Sequence, residues 1–302
     1  MARRVLLHGQ VADALLATYG MENRDRLPEL AKHYAESAIL NPAHARLAAS
    51  TLRRAAEVMA NALGWDEAAR LYERCLDLVS AAPDRLGEDE GLLWRDLAVA
   101  RFANYKIGTA WEAFGQAAPL LESRLDELAP AVMRSALTFV SGNIRHGLPV
   151  LRRLVAATNT SPSPAAYQFL AVLAYGDLGP VGDETAGRVR AMGALLGQAD
   201  ERVEYLLRHR EASKFYARGD FAAAHTALEA MRPPATAVGA LPLLLTVLGN
   251  NSTRAGDLDR GARFFAESVV ARRAIGADFA ADGRSPGRVS RVATRRAAGG
   301  RV

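Results

Sequence analysis

A small residue returns along this chain at a nearly fixed step. Ala68, Ala110, Gly147, Ala186, Ala224 and Gly261 follow one another at intervals of 42, 37, 39, 38 and 37 residues. Four residues beyond each stand Tyr72, Phe114, Leu151, Arg190, Leu228 and Phe265; three beyond those come Cys75, Ala117, Leu154, Gly193, Met231 and Ser268. Steps of four and then three keep all three positions on one face of an α-helix. A period of this length marks units that cannot bury an apolar face alone and must stack on their neighbours. The register slips by about a residue between copies, and the 186 unit is the weakest, with Arg190 at a large apolar position.

The residues around these positions are helix formers, and strand signals are scarce. Apolar residues recur at three and four, and Ala, Leu, Arg and Glu dominate. Gly, Pro and Asn punctuate the helices, at Gly20, Pro28, Asn41-Pro42, Gly64, Pro83, Gly108, Pro130, Pro162, Pro164, Gly219, Pro233-Pro234 and Gly256 among others. A glycine turn precedes the second helix of a pair in "LGWDEAA", "RGDFAAA" and "AGDLDRGA". In "GLLWRDLAVARFANYKIGTAWEAFGQAA", residues 91 to 118, Ala98, Ala110 and Ala117 sit where a helix facing a partner usually carries large side chains. Small residues there let the two helices of a pair approach closely, while aromatics fill the space between pairs.

This pattern resembles the tetratricopeptide repeat, a helix-turn-helix unit. The best copy has Trp94, Leu97 and Ala98 on its first helix and Ala110, Phe114 and Ala117 on its second. Others have Leu52, Ala55, Ala56, Ala68, Tyr72 and Cys75, and Leu245, Leu248, Gly249, Gly261 and Phe265. The intervals are looser than the strict repeat's, so the units are degenerate. A second resemblance covers the first third of the chain. Arg3, Arg4, Leu7, His8, Ala12 and Leu15, then Leu30, Ala31, His33, Tyr34 and Ala38, then Ala68, Ala69, Tyr72 and Leu76 look like the region after the ATPase module in bacterial STAND-type regulators. These include the large ATP-binding LuxR-type regulators and the ATPase-linked adenylate cyclases. "FFAESVVARRAIGA", 264 to 277, is similar to their late repeats. That family implies a regulator whose helical array senses a signal or a partner. This chain departs from it in lacking a Gly-x4-Gly-Lys-Ser/Thr loop, a cyclase segment and a C-terminal DNA-binding module.

The expected architecture is all-α: a tetratricopeptide-like α-solenoid, a right-handed superhelix of helix hairpins, over 1–276. An N-terminal helix pair spans 1–40 and about six degenerate repeats span 42–276. Residues 277–302 lack apolar periodicity and carry +4 of the net +5 charge, so they are read as a disordered basic tail. An array that stops there without a polar capping helix reads as a fragment of a larger regulator, or a truncated descendant of one. The start, "MARRVLLHGQVADALLATYG", reads as an amphipathic helix through Val5, Leu7, Val11, Ala14 and Leu15 rather than a signal peptide. The single Cys75 agrees with a cytoplasmic protein. No apolar run approaches a membrane span.

The candidate chemistry is thin. Cys75 takes the inward small position of a repeat helix and reads as a buried hydrophobe. The six histidines show no metal-ligand spacing, and His8 and His33 are expected to pack together as a structural pair. The glycines of "YGDLGPVGDE", 175 to 184, have no lysine after them and carry three acidic residues, so they form a loop and not a phosphate cradle. The acidic stretches "GEDEG" and "ADERVE" suit helix N-terminal turns. No enzyme activity, cofactor or metal is expected. The basic stretch of the tail has no aromatic interleaving for stacking on bases, so nucleic acid is expected to bind weakly at most.

What remains is the concave face of the solenoid, which the first helix of each pair lines. The repeat frame places Arg53, Glu57 and Asn61 there from one unit and Arg95, Val99 and Phe102 from the next. Arg53 and Arg95 together are suited to gripping a carboxylate. The expected function is a non-catalytic protein-interaction scaffold that receives a protein or peptide in this groove. The alternative is part of a DNA-binding, ATP-dependent transcriptional regulator whose ATPase and helix-turn-helix modules lie elsewhere.

Overall fold

The computed structural model describes residues 2–39, 41–81, 86–158, 162–197 and 200–281, with side chains at all of these except 141 and 275–281. Among them there are helices and turns and no strand. After α1 (Ala2–Tyr19) and α2 (Leu27–Ser37) come six hairpins. The first three are α3 (Pro42–Asn61) with α4 (Trp65–Ala81), α5 (Glu90–Ala103) with α6 (Ile107–Leu120), and α7 (Leu125–Thr138) with α9 (Leu148–Ala157), the short α8 (Ser141–Arg145) lying between these last two. The next three are α10 (Pro164–Gly176) with α11 (Pro180–Leu196), α12 (Glu201–Ala217) with α13 (Phe221–Glu229), and, after the short α14 (Arg232–Ala237), α15 (Leu241–Arg254) with α16 (Leu258–Ala281). Each helix packs mainly on its neighbours in chain order, the arrangement of an α-solenoid. The helix α16 runs to Ala281, past the expected start of the tail at 277, and the rest of that tail lies outside the described residues.

Local sequence sets the boundaries. Asn41, Asp89, Ser163, Asp200 and Asp220 cap helices by accepting a bond from a backbone N–H of the first turn. Four hairpin turns share one closing geometry, with a left-handed residue at Leu63, Tyr105, Gly219 or Gly256. In each, that residue's N–H reaches the carbonyl three back, and the next N–H reaches the carbonyl five back from itself. In "LGWDEAA" the left-handed residue is therefore Leu63 and not Gly64. Pro130 does not end a helix as its residue type predicts; it lies inside α7.

The recurring small positions are the seams. Ala68, Ala98, Ala110, Ala117 and Cys75 are fully buried. A Cβ on Gly147 would lie 2.1 Å from the Trp111 ring, and one on Gly249 2.7 Å from Phe265, so an aromatic occupies the space that the glycine leaves. In α11 the register slips by one: Val189 is buried and Arg190 is exposed. The same slip operates in α16, which buries Phe264 and leaves Phe265 partly exposed. The helix α1 seats itself through Val5, Gly9 and Ala12 and not through Leu7 and Val11, which face solvent; Gly9 comes close enough that a Cβ would lie 2.9 Å from His44.

Two polar features fix the array. The Arg210 side chain, on α12, is fully buried. It donates to the carbonyls of Ala174, Asp177 and Gly179 and to Asp183, at 2.8 to 3.1 Å. The glycine-rich loop is thus pinned by a cation from the next hairpin, and a Cβ at Gly182 would collide with the Asp177 carbonyl at 1.9 Å. His8 and His33 meet as expected, Nδ1 to Nδ1 at 2.9 Å, across the α1–α2 seam.

Candidate functional site

The first helices of the first three hairpins enclose a cavity of about 330 Å³. Asn61 and Trp65 border it from the α3–α4 turn, Arg95, Asp96 and Val99 from α5, and Glu127, Pro130, Ala131 and Arg134 from α7. Three of the six residues expected on the concave face, Asn61, Arg95 and Val99, therefore line one site.

The other three do not line it. Phe102 is a correction: it is 2 % exposed. Its ring lies in an aromatic cluster, 5.3 Å from Trp111, 5.8 Å from Phe114 and 5.3 Å from Phe139. Arg53 and Glu57 are half-buried and bonded to each other, and the Arg53 Nε also donates to Glu88 at 2.7 Å. Burial would lower the Arg53 pKa, but the charges of Glu57 and Glu88 outweigh it and raise it. The expected pairing of Arg53 with Arg95 is thus replaced, because two carboxylates already hold Arg53.

Arg134 stands with Arg95 instead. Arg95 donates to Asp96 at 2.7 Å and to the Glu127 carbonyl at 3.4 Å. Burial opposes its charge, yet the Asp96 bond and the Asp96 and Glu127 charges raise its pKa. Arg134 is open to solvent inside the concavity. Its pKa is lowered, first by desolvation among the surrounding walls and then by the positive charge of Arg95, with Arg202 adding to it and Asp96 opposing. A guanidinium held among like charges gains from an incoming anion.

Arg134 follows Arg95 by 39 residues, and Arg95 follows Arg53 by 42, both steps of the repeat. The signal was therefore present in the sequence. Pro130, read as a boundary, hid the third first-helix.

The cavity is confined to the first half of the array for a geometric reason. Beyond the cavity, α7 packs against α10, α12 and α15.

Elsewhere, groups with reactive potential are buried. The Cys75 thiol donates to the Ala49 carbonyl at 3.3 Å, and burial, aided by Glu88, pushes its pKa up to about 12. A thiol so held is not a nucleophile at neutral pH. Burial pushes His209 down to about 4. Among the described residues no group of three or more His, Cys, Asp or Glu is placed to hold a metal ion, and no helix is long and apolar enough to cross a membrane.

No protein-family model matches this chain, and no curated protein matches it. Solved structures do. The chain is similar to the apo form of RapI, at a TM-score of 0.54 and 11% identity, over 90% of this chain and 99% of that one. It is also similar to a Rap protein complexed with competence and sporulation factor, at a TM-score of 0.48 and 12% identity, over 91% of this chain and 76% of that one. The likeness to RapI extends over nearly the whole of both chains, and what it shows is the fold: a tetratricopeptide-like helical-repeat solenoid.

Proposed function

We propose that this chain is a non-catalytic regulatory scaffold that receives an extended segment of a partner protein in the cavity between α3, α5 and α7. An acidic group of that segment faces Arg134 and Arg95. The observation that supports this reading is Arg134 beside Arg95 in a concave site that Val99 and Trp65 also line. Such a site combines an apolar anchor with one charge-assisted contact. The partner class is a protein or peptide.

The test is a display selection of random decapeptides on the full chain, followed by affinity measurement of the enriched peptides. Enrichment in Asp, Glu or a free C-terminal carboxylate is expected. A charge-assisted bond contributes roughly 1.5–3 kcal/mol, so Arg134→Glu weakens these peptides by about 10-fold to 100-fold. Arg53→Glu, outside the cavity, leaves them within about twofold. Enriched peptides that bind Arg134→Glu as tightly as the wild type refute the reading.

The regulatory role itself rests on the STAND-type resemblance over 1–76 and 264–277. In that setting the chain is the sensory repeat array of a signalling or transcriptional regulator, and its ATPase and DNA-reading parts belong to another segment or polypeptide. Neighbouring reading frames that encode neither a P-loop ATPase nor a helix-turn-helix count against it.

A further inference from the structure

We infer that the outer face of the third and fourth hairpins is a docking surface for the phosphate backbone of a nucleic-acid duplex, held without readout of base sequence. The surface belongs to the second helices, away from the cavity, which the first helices line. From Leu128 to Gly176 the sequence holds no Asp or Glu. Within that stretch Arg145 ends α8, and Arg152 and Arg153 stand on α9. Between Glu184 and Asp200 there is again no acidic residue, and α11 carries Arg188 and Arg190 there. All five side chains are exposed.

The stack brings them onto one face. The helix α10 packs against both α9 and α11. Leu151 and Val189 are buried residues of these two outer helices, one repeat apart, and each is followed by an exposed arginine, Arg152 and Arg190. The same position of the unit therefore presents the same charge on successive hairpins. Arg153 extends the row to the preceding unit: a Cβ on Gly115 of α6 would lie 3.2 Å from its Nη2.

A second observation is that these arginines are left without counter-charges. Arginines of the adjoining units are held by carboxylates: Arg101 by Glu73, Arg124 by Asp89, Arg202 by Asp200 and Arg208 by Glu204. Among the described residues no ion pair joins any of the five, although Glu184 stands one helical turn before Arg188. Like charges gathered on one face repel one another and gain from a polyanion. The composition of the face says which one. Protein interfaces are centred on apolar and aromatic side chains, whereas duplex interfaces are polar and strongly positive. The helices α8, α9 and α11 contain no aromatic residue, and the exposed Val181 and Leu195 lie at the two ends of α11, leaving Gly187 and Ala191 beside the arginines. A guanidinium fork matches phosphate oxygens, and without an aromatic platform the contact is to backbone and not to bases.

Fluorescence anisotropy of the full chain with a labelled DNA duplex of about 20 base pairs, at about 50 to 200 mM salt, tests this. Five phosphate contacts give a slope of log K against log salt of about −4.5 or steeper. Arg152→Glu combined with Arg190→Glu is expected to make the slope shallower by about 2 and to weaken binding by about 10-fold or more. Arg254→Glu combined with Arg263→Glu, at exposed positions on the last hairpin, changes the net charge by the same amount, and its affinity is expected to stay within about twofold of the wild type. Equal losses in the two double variants assign the attraction to net charge and overturn the proposal. Wild-type affinity in Arg152→Glu with Arg190→Glu overturns it, and so does the absence of binding at the lowest salt. Tighter binding of polyglutamate or of phosphatidylserine vesicles than of the duplex points to an acidic protein or a membrane and overturns it as well.

Discussion

Replacing Gly147 by alanine adds one methyl group, and the structure fixes where it goes. The new Cβ would stand 2.1, 2.2 and 2.5 Å from three carbons of the Trp111 indole. Carbon atoms pack at about 3.5–4.0 Å, so one side of the contact must retreat by roughly 1.4 Å. Trp111 has little freedom to do so. It is 3 % exposed, packs edge-on to Phe102 and beside Phe114, and donates its indole N–H to the Asn143 carbonyl at 3.3 Å. Overpacking of this kind costs about 1–3 kcal/mol, and loss of the indole bond leaves a buried donor that costs about 1–3 kcal/mol more. The expected destabilisation is about 3 kcal/mol. Gly187, in the middle of α11, is the control: nothing lies within 4 Å of a Cβ there. Gly187→Ala removes only the backbone freedom of glycine and stabilises by about 0.5–1 kcal/mol. Urea denaturation followed by circular dichroism and by tryptophan emission measures both. Gly147→Ala within about 0.5 kcal/mol of the wild type would show that the seams do not depend on close approach.

Two further outcomes follow from the buried polar groups. His209 is neutral when folded, with its pKa at about 4 against an ordinary 6.5, so the unfolded chain binds the extra proton between those values. Stability is therefore full above pH 6.5 and falls as the pH drops toward 4, by about 3 kcal/mol for a shift of this size; His209→Leu flattens that slope in denaturation curves taken at pH 7, 5.5 and 4.5, and an unchanged slope would rule the assignment out. Arg210→Met removes one donor each from the Ala174, Asp177 and Gly179 carbonyls, of which Asp177 alone has no backbone donor besides, and one partner from Asp183, at a cost of about 1–3 kcal/mol. Hydrogen exchange should then accelerate at residues 174–183 first, and uniform acceleration along the chain would contradict a local role for the pin.

The period was legible because it is a packing requirement. Ala68, Ala98, Ala110 and Ala117 had to be small, and the structure buries each completely. The pairing of His8 with His33 was legible for the same reason, since two helices joined by a short loop meet along one face. Irregular seams were not legible. Nothing in the period marks α8 or α14, which are fitted into intervals of only 37 residues, and a one-residue slip exchanges Arg190 for Val189. The concave face was half legible. Asn61, Arg95 and Val99 line the cavity, but Phe102 is taken into the aromatic cluster of Trp111, Phe114 and Phe139. The neutralisation of Arg53 depends on Glu88, 35 residues away, a separation that no local pattern encodes.

A partner in the cavity would cover particular helices and leave others bare. A hydrogen-exchange footprint of the full chain, with and without a peptide selected on it, reads this directly. Protection is expected along α3, α5 and α7, at the turn holding Asn61 and Trp65, around Arg95 to Val99, and from Glu127 to Arg134. Protection confined to the second helices of the hairpins, α4, α6 and α9, would contradict it.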